Sequence, residues 1–433
     1  MKAKPSLPPR ICVVGGGVAG LILATRLGHI LGRPGLARIS LIDRSPTHVW
    51  KPMLHTFAAG TWNIYQQQVQ FLVHAASHHF EYVPGDMDGL DRNNRRIRLA
   101  PMQANGEIIA DTREEEYDVL ILATGSRAND FGTPGVSEHC YFIDSESEAE
   151  AFNNRLRAQV ARSFLTGDEI RIAVVGGGAT GVELAAELTR MVELAAGYGE
   201  ADIRQRLRIT LLESASRILG AFPERIAASA TDQLRQLGVD VRVGVKVVSA
   251  DAAGYVIEGG TRVDADVKVW AAGIRASAIF GASGLELNRA RQVIVAPNLQ
   301  ARGDDRIFAV GDCSSLLPEG AERPLPSTAQ VANQQAMHLA RHLPSWLREG
   351  RPVPPFRFQD LGALVSLSDY NAFGTLGRFG FFGGSFIKGR FAQMSHAFLY
   401  RRHQLALHGP GRAALLWLAE RINAMVQPSI RIH

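Results

Sequence analysis

Two stretches of the chain repeat one pattern of apolar, glycine and acidic positions. The first copy runs from Ile11 to Asp43 and the second from Arg171 to Glu213. Each copy has a short apolar run, a glycine-rich turn, an apolar stretch and a second apolar run that ends on an acid. This order predicts a strand, a turn, a helix and a strand. Its recurrence about 160 residues later predicts a duplicated βαβ unit.

The remaining pattern predicts further strands around these two copies. Residues 85–117 are polar and rich in turn residues with short alternating runs, which indicates antiparallel strands. The apolar run YDVLILATG follows, and later runs include DVKVWAAG and DRIFAVGDC. A proline-rich stretch, residues 351–356, separates this core from the C-terminal segment.

Length, composition and cysteine usage narrow the class of protein. The 433 residues are too many for one compact core, and 46% apolar with 21% charged residues is typical of folded proteins. The start of the chain lacks the apolar core of a signal peptide, so we expect no export. Cys12, Cys140 and Cys313 form no CxxC pair, which predicts reduced, mostly buried thiols.

The net charge of +5 is concentrated at the C-terminal end. Residues 361–433 contain eight Lys/Arg against Asp369 and Glu420, a net charge of +6, which leaves the first 360 residues at −1. Apolar and aromatic residues alternate with basic ones there, in AFLYRRHQLALH and GRAALLWLAERINAMV. This combination predicts a helix that lies on anionic lipid, and a core-facing helix with a solvated basic side is the alternative. No run is long enough for a spanning helix.

The first glycine-rich turn has the spacing of a dinucleotide-binding site. Gly15, Gly17 and Gly20 lie between a predicted strand and helix, and Asp43 ends the next strand. The first glycine allows the turn, the second lets the backbone approach a pyrophosphate, and the third lets the helix pack on the strand. The acid is placed to accept hydrogen bonds from a ribose.

The second turn repeats every feature with Gly176, Gly178, Gly181 and Glu213. An acid at Glu213 favours a free ribose 2′-hydroxyl, and therefore NADH over NADPH, although Arg217 lies close by. Ala123-Thr124-Gly125 and Gly311-Asp312 each end an apolar run and suit the closing elements of an FAD fold. Two dinucleotide sites predict a flavoenzyme that accepts electrons from a nicotinamide.

The predicted fold is therefore α/β, with two Rossmann-like domains of the two-dinucleotide flavoprotein type and a C-terminal membrane-associating module. We expect the first part of an FAD domain over residues 1–145 and an NADH domain over 146–285. The second part of the FAD domain follows over 286–355, and the membrane-anchoring module covers 356–433.

More specific segments resemble the type II NADH:quinone oxidoreductases, single-subunit respiratory NADH dehydrogenases that pump no protons, and the enterobacterial form in particular. The segments are VWKPMLH (49–55), VVGGGATGVELAAEL (174–188), VWAAGI (269–274), FAVGDC (308–313), STAQVANQQA (327–336), LVSLS (364–368) and LYRRHQLALHG (399–409). They extend over essentially the whole chain. The glycine motifs are shared by all two-dinucleotide reductases, whereas AQVANQQ and the tail are more specific.

This resemblance implies oxidation of NADH through FAD with reduction of a membrane quinone, ubiquinone being favoured. For FAD it implies Gly15, Gly17, Gly20, Asp43, Arg44, Lys51, Ala123, Thr124, Gly125, Gly311, Asp312 and Gln330. For NADH it implies Gly176, Gly178, Thr180, Gly181, Glu183, Glu213 and Gly273. Gln330 and Gln334, four apart, would contact the quinone.

The resemblance also assigns the catalytic positions and the location. Glu183 and Lys51 would lie beside the flavin, with Glu183 as an orienter or proton handler; an acid that only matches the helix dipole is the alternative. Thr56 stands where many relatives carry Glu, so a carboxylate role there is not assumed. We expect a peripheral protein on the cytoplasmic face of a bacterial inner membrane, with a homodimer allowed by the resemblance.

Other functions fit the sequence less well than NADH:quinone oxidoreduction. A sulfide:quinone oxidoreductase shares the fold but needs redox cysteines and usually lacks a working NADH site. A soluble disulfide reductase needs a cysteine pair after the first helix, which is missing. A flavin-bearing protein that senses NADH is the non-enzymatic alternative. Nucleic-acid binding lacks a reader motif, and His74, His78 and His79 lack metal-ligand companions, which favours surface histidines.

Overall fold

The computed structural model describes residues 7–62, 68–104, 106–197, 203–368, 370–376, 386–388 and 390–426. The chain divides into two compact units. Unit 1 consists of Met1–Trp50, Gln68–Arg127 and Ile274–Phe358, and unit 2 consists of Lys51–Gln67, Ala128–Gly273 and Gln359–His433. The expected domain boundaries stay predictions.

The secondary structure of the described residues follows the alternation of strands and helices expected from the sequence. The helices are α1 (Val18–Leu27), α2 (Leu54–Ala58), α3 (Phe71–His78), α4 (Val136–His139), α5 (Glu146–Thr166), α6 (Ala179–Gly197), α7 (Ile203–Arg206), α8 (Glu224–Gln236), α9 (Ala329–Glu349) and α10 (Arg390–Val426). The strands are β1 (Arg10–Val14), β2 (Arg38–Asp43), β3 (Thr47–His48), β4 (Val69–Gln70), β5 (Glu81–Pro84), β6 (Met87–Asp91), β7 (Arg96–Leu99), β8 (Met102–Ala104), β9 (Glu107–Ala110), β10 (Arg113–Glu116), β11 (Val119–Leu122), β12 (Arg127–Ala128), β13 (Ile170–Val175), β14 (Leu207–Glu213), β15 (Asp240–Val243), β16 (Val247–Asp251), β17 (Gly254–Ile257), β18 (Arg262–Asp264), β19 (Val267–Trp270), β20 (Ile274–Arg275), β21 (Val293–Ile294), β22 (Ile307–Ala309), β23 (Ser314–Ser315), β24 (Gly362–Leu367), β25 (Asn371–Leu376) and β26 (Phe386–Lys388).

Unit 1 is built on a five-stranded parallel sheet in the order β22-β11-β1-β2-β5. All four residues of β11 are buried and only Arg10 of β1 is partly exposed, as expected for strands covered on both faces. Strands β6, β7 and β10 form the predicted antiparallel excursion. The carboxyl ends of β1, β11 and β22 lie along one edge of the sheet, which places their connecting turns together.

Unit 2 is built on a four-stranded parallel sheet in the order β15-β14-β13-β19. Its central strand β13 pairs with β14 over six residues, from Ile170↔Leu207 to Val175↔Leu212. The antiparallel strands β16, β17 and β18 bring Tyr255 into a buried cluster with Trp270. The predicted duplication of the βαβ unit is therefore confirmed, with one copy in each unit.

The C-terminal segment belongs to unit 2. Strands β24, β25 and β26 form an antiparallel sheet, and α10 is broken at Gly409, whose φ of 72° and ψ of 171° are not helical. Arg378 and Arg431 of the basic segment lie outside the described residues, and so do the side chains of Lys388, Arg390, Phe398 and Leu399. Among the described residues, no helix is long and apolar enough to cross a membrane.

Candidate cofactor-binding sites

The first glycine turn, in unit 1, is shaped by close backbone contacts. Gly15 has φ +101°, and a Cβ there would overlap the Ala123 carbonyl at the end of β11. A Cβ on Gly20 would overlap the Gly15 carbonyl. Both positions therefore require glycine, because any larger residue would push apart the turn, β11 and α1.

Gly17 differs from its neighbours, because a Cβ there would meet no protein atom within 4 Å. Gly17 is exposed and precedes α1, whose first turn presents backbone N–H groups and the positive end of the helix dipole. The open space in front of Gly17 suits a pyrophosphate. The buried Thr124 hydroxyl, close behind β11, has no hydrogen-bond partner within the described residues, so it is available to a polar group of a cofactor.

Asp43 connects the end of β2 to the glycine turn. Its Oδ2 accepts a hydrogen bond from the Gly16 amide at 2.6 Å, and its Oδ1 accepts one from the Ser45 amide at 2.8 Å. Burial raises the pKa of Asp43, and the two amides oppose that shift. A carboxylate has about four lone-pair sites, so Asp43 keeps capacity for ribose hydroxyls while it fixes the turn.

The second glycine turn, in unit 2, reproduces this geometry. Gly176 has φ +113°, a Cβ on Gly181 would overlap the Gly176 carbonyl, and one on Gly178 would meet nothing within 4 Å. Glu213 Oε2 accepts from the Gly177 amide at 2.6 Å, the counterpart of the Asp43 contact. Each unit therefore contains a complete dinucleotide turn with its acid.

Arg217 does not offer a free guanidinium beside Glu213. It donates to the carbonyl oxygens of Phe222 at 2.9 Å, Gly220 at 3.0 Å and Leu219 at 3.3 Å. A 2′-phosphate would therefore meet the Glu213 carboxylate while the nearby arginine is engaged elsewhere. This geometry favours NADH over NADPH.

Asp312 lies in the turn after β22 and faces the turn after β11. Its Oδ2 accepts from the Ser126 hydroxyl at 2.8 Å. Gln292 donates to the Asp312 carbonyl oxygen at 2.8 Å and to the Ser327 hydroxyl at 3.1 Å. Buried Gln335, on α9, accepts from the Gly311 amide at 2.7 Å. The Gly311-Asp312 turn is thus tied to the start of α9.

Helix α9 carries the two glutamines predicted to contact a quinone. Thr328 caps the helix by accepting from the Val331 amide at 3.3 Å. Val331 and Ala332 are buried, whereas Gln330 and Gln334 are half-buried. Both glutamines therefore lie at the border of the helix face that packs on the core of unit 1.

Glu183 is a buried acid in the second turn of α6. The helix begins at Ala179, so Glu183 is its fifth residue. Its side chain is 9% exposed, its Oε1 accepts from the Ser366 amide at 3.0 Å, and His55 Nδ1 lies 3.6 Å from its Oε2. Burial raises its pKa to about 8. A buried acid among these groups is not explained by the helix dipole alone.

The remaining predicted residues lie in two groups. In unit 1, Arg44 is exposed and 3.6 Å from Asp86, and Gly125 has φ +68°. In unit 2, Lys51 pairs with Asp144 at 2.9 Å, Thr180 is exposed next to Gly178, and Gly273 has φ +64°. The unit 1 turns thus bring together Gly15, Gly20, Asp43 and Ala123, and separately Ser126 and Asp312.

Several polar residues in these sites were missed by sequence reasoning. Gln292 and Gln335 tie the Asp312 turn to α9, and His55, Thr61 and Glu187 lie with Glu183 in unit 2. Among these residues, only Glu187 could have been found from the sequence, because it lies four residues after Glu183 and therefore on the same helix face.

The expectation of surface histidines was wrong for two of the three considered. His74 and His78 are buried, with ring centroids 3.9 Å apart in a stacked arrangement. Thr25 Oγ1 lies 2.9 Å from His74 Nε2. Packing of α3 on the sheet of unit 1 explains this burial, because the spacing of four puts both rings on one helix face. No group of described residues has the geometry to hold a metal ion.

Comparisons with known proteins agree with this geometry. The family model for pyridine nucleotide-disulphide oxidoreductases matches residues 9–336. A type II NADH:quinone oxidoreductase of Haemophilus influenzae is 36% identical over 98% of this chain and 99% of its own length. The structure of NDH2 from Plasmodium falciparum in complex with NADH has a TM-score of 0.83 at 17% identity, covering 98% of this chain and 100% of that one. A sulfide:quinone oxidoreductase from Aquifex aeolicus has a TM-score of 0.73 at 19% identity, covering 97% and 96%.

Proposed function

The chain belongs to the pyridine nucleotide-disulphide oxidoreductases and, within them, to the type II NADH:quinone oxidoreductases, and we propose that it oxidises NADH through FAD and reduces a quinone to quinol. The observation that carries this function is the presence of two complete dinucleotide turns, each with its acid. A single turn would serve one cofactor, whereas FAD and NADH together need two. The test is reduction of the bound flavin by NADH, followed by its reoxidation by a short-chain ubiquinone.

FAD binds to unit 1 in this proposal. Gly17 faces the pyrophosphate, Asp43 binds the ribose, and Asp312 binds the ribitol. The open space in front of Gly17 and the buried Thr124 hydroxyl support this placement. FAD, when bound, supplies the two-electron chemistry; the chain holds it in place and keeps water away.

NADH binds to the second turn, in unit 2. Gly178 faces its pyrophosphate and Glu213 accepts hydrogen bonds from its ribose, whereas a 2′-phosphate would be repelled by the Glu213 carboxylate. Glu183 is the residue of this unit best suited to handle a proton, because burial holds its pKa near the physiological range. Lys51, paired with Asp144, supplies a positive charge that we assign to the flavin.

The quinone is bound by amides in this proposal. Gln330 and Gln334 share a face of α9, and their side-chain N–H groups can donate hydrogen bonds to quinone carbonyl oxygens. The ties from Gln335 and Gln292 to the Asp312 turn support a fixed position of this helix in unit 1. Ubiquinone remains the favoured quinone.

The alternative of a sulfide:quinone oxidoreductase is supported by the fold alone. Sulfide oxidation needs reactive thiolates, but Cys12 and Cys313 are almost completely buried free thiols. Burial raises the pKa of Cys12 to about 11, and it also raises the pKa values of Cys140 and Cys313. All three cysteines therefore favour the unreactive thiol form. The complete NADH turn in unit 2 counts against this alternative as well.

Contact with a membrane is proposed for the second half of α10. Leu415, Leu418, Ile422 and Val426 are between 49% and 77% exposed and follow one another at spacings of three and four residues. This spacing puts them on one helix face, and exposed Arg412 and Arg421 lie on the same segment. Trp417 is not part of this face, because its Nε1 donates to Gln404 at 2.6 Å. We propose that this helix face contacts the cytoplasmic side of the membrane. We also propose that the chain can form a homodimer.

Serine at these four apolar positions is expected to reduce binding to anionic vesicles at least tenfold. Each side chain that enters the interface contributes roughly 1 kcal/mol. Co-sedimentation of the holoenzyme measures the effect. The matched control replaces the exposed apolar residues Leu165, Val243 and Val248 of the same unit by serine. Equal binding of both variants would reject this face as the contact.

These substitutions test the contact better than a truncation at Leu361. Removing residues 361–433 would also remove the Ser366 amide that binds Glu183, together with the buried side chains Val365 and Leu367. Unit 2 would then lose part of its core, and a loss of membrane binding could not be assigned to α10.

A further inference from the structure

An exposed aromatic ring lies in the loop that follows β12 in unit 2. Phe131 is 65% exposed, although phenylalanine side chains are usually buried in folded proteins. Its backbone has φ 53°, in the left-handed region that bulky residues rarely adopt. Residues held in such conformations are found mainly at functional sites, where the surrounding structure fixes them. The exposed ring and the strained backbone together point to a ligand that covers Phe131.

Hydrogen bonds fix the loop that carries Phe131. The Asn129 Oδ1 atom accepts from the Phe131 amide at 3.0 Å. The Asn129 carbonyl oxygen accepts from the Nε1 atom of Trp270 at 2.8 Å. Trp270 is buried and ends β19, so the loop is attached to a strand of the central sheet of unit 2. The position of the ring is therefore set before any ligand binds.

The Phe131 ring lies over Gly273, which follows β19. A Cβ on Gly273 would overlap the tip of the ring, and the Gly273 backbone has φ +64°. The Gly273 carbonyl oxygen accepts from the Asn129 amide at 3.3 Å. Glycine at position 273 thus leaves room for the ring, and the ring is held directly against the backbone that leaves β19.

The segment after β19 also contacts the second glycine turn. A Cβ on Gly176 would overlap the Ala271 carbonyl group and the Ala272 nitrogen. Strands β13 and β19 are adjacent and parallel, so the turn after β13 and the segment after β19 lie side by side. Phe131 therefore lies at the carboxyl edge of this sheet, where ligands of such folds bind.

The strand order gives the direction in which a dinucleotide crosses this edge. The order is β15-β14-β13-β19. Glu213 ends β14 and is assigned to the adenosine ribose, and the turn after β13 is assigned to the pyrophosphate. The half of NADH that carries the nicotinamide then continues past β13 towards β19. Phe131 and Gly273 lie on that side of the turn, away from Glu213.

We propose that Phe131 binds the nicotinamide riboside half of NADH. This inference rests on the proposed function and adds a residue to its NADH site. An aromatic ring offers a flat apolar face, and a heteroaromatic ring that stacks on it gains both burial and stacking. The dihydronicotinamide of NADH is uncharged, so this contact needs no charged partner. Bound NADH covers the ring that the free protein leaves exposed.

Two nucleotides that bind to the oxidised holoenzyme separate the halves of the site. NAD⁺ contains both halves of the dinucleotide, whereas AMP contains the adenosine half alone. Phe131→Asn should weaken binding of NAD⁺ about tenfold and leave binding of AMP within about twofold of the parent, as measured by calorimetry. Phe131→Tyr keeps an aromatic ring and should retain the parent affinity for NAD⁺. Equal affinity for NAD⁺ in Phe131→Asn and the parent would overturn the proposal.

Asparagine suits position 131 because it adopts the left-handed conformation more readily than phenylalanine. The substitution keeps the backbone of the loop and removes the ring. We expect the thermal unfolding midpoint of Phe131→Asn, without nucleotide, to equal or exceed that of the parent. A lower midpoint with equal losses of NAD⁺ and AMP binding would show that the ring supports the fold, and would overturn the proposal. Leu165→Ala, at an 88% exposed position on α5 of the same unit, is the matched control and should bind both nucleotides like the parent.

Reduction of the flavin gives a second readout that a structural role would not move. The half-saturating concentration of NADH should rise about tenfold in Phe131→Asn. The preference for NADH over NADPH should stay unchanged, because Glu213 sets it on the other side of the turn. Loss of that preference would place Phe131 beside the adenosine ribose and overturn the assignment. A parent protein that NADH does not reduce would instead reject the proposed function, whereas a parent that NADH reduces no better than Phe131→Asn would reject this inference alone.

Discussion

Gly181→Ala is expected to abolish reduction of the bound flavin by NADH while the flavin content stays normal. The new Cβ would overlap the Gly176 carbonyl, so the turn between β13 and α6 must open. NADH would lose the backbone cradle for its pyrophosphate, and kcat/KM for NADH should fall at least 100-fold. The flavin turn lies in the other unit and keeps its own glycines. Stopped-flow absorbance with NADH, together with the flavin-to-protein ratio, measures both effects.

Two further glycine variants separate damage to the fold from loss of the ligand. Gly178→Ala meets no protein atom within 4 Å, so unit 2 should fold normally and still bind NADH poorly. Gly20→Ala would overlap the Gly15 carbonyl in unit 1, and it should lose FAD. Gly281→Ala, which also meets nothing within 4 Å, is the matched control. Normal NADH kinetics in Gly178→Ala would contradict the assignment of this turn to NADH.

Removal of the two amides on α9 is the second large effect we expect. The double variant Gln330→Leu/Gln334→Leu should lower kcat/KM for ubiquinone about 100-fold, because each amide that no longer bonds a carbonyl oxygen costs roughly 1–2 kcal/mol. Reduction of the flavin by NADH should be nearly unchanged in Gln334→Leu alone, because Gln330 is also expected to contact FAD. Oxidation of NADH with ferricyanide in place of quinone should also persist.

The control for the amide variants is Gln233→Leu, a half-buried glutamine on α8 in unit 2. It should leave both reactions as they are in the parent. If the α9 double variant reduces ubiquinone as fast as the parent, Gln330 and Gln334 do not bind the quinone. If it also loses the reaction with ferricyanide, the substitutions have disturbed the flavin site through the Asp312 turn.

The strand and turn pattern could be predicted from the sequence because backbone geometry dictates it. Gly15 and Gly176 must adopt positive φ, and Gly20 and Gly181 must accept a close carbonyl, so glycine appears at fixed spacings. Asp43 and Glu213 follow from the same logic, because each acid ends the strand beside its turn. These constraints act between residues close together in the chain, so a short stretch of sequence is enough to predict them.

The polar network around each site could not be predicted in this way. Gln335 binds the Gly311 amide across 24 positions, and Thr61 binds Glu187 across 126 positions. Such contacts depend on which elements pack together, and the local pattern does not specify this. The burial of His74 and His78 was missed for the same reason, since the sequence of α3 does not show that the two histidines face inwards while Leu72 and Val73 are exposed.

The most direct test of the account is a sequential stopped-flow measurement on the flavin of the holoenzyme. NADH should bleach the flavin absorbance rapidly, NADPH should do so much more slowly, and a short-chain ubiquinone should then restore the absorbance. The two glycine turns with their acids and the two amides on α9 predict this sequence of events. Rapid bleaching by sulfide but not by NADH, or a flavin reduced by NADH that ubiquinone fails to reoxidise, would contradict it.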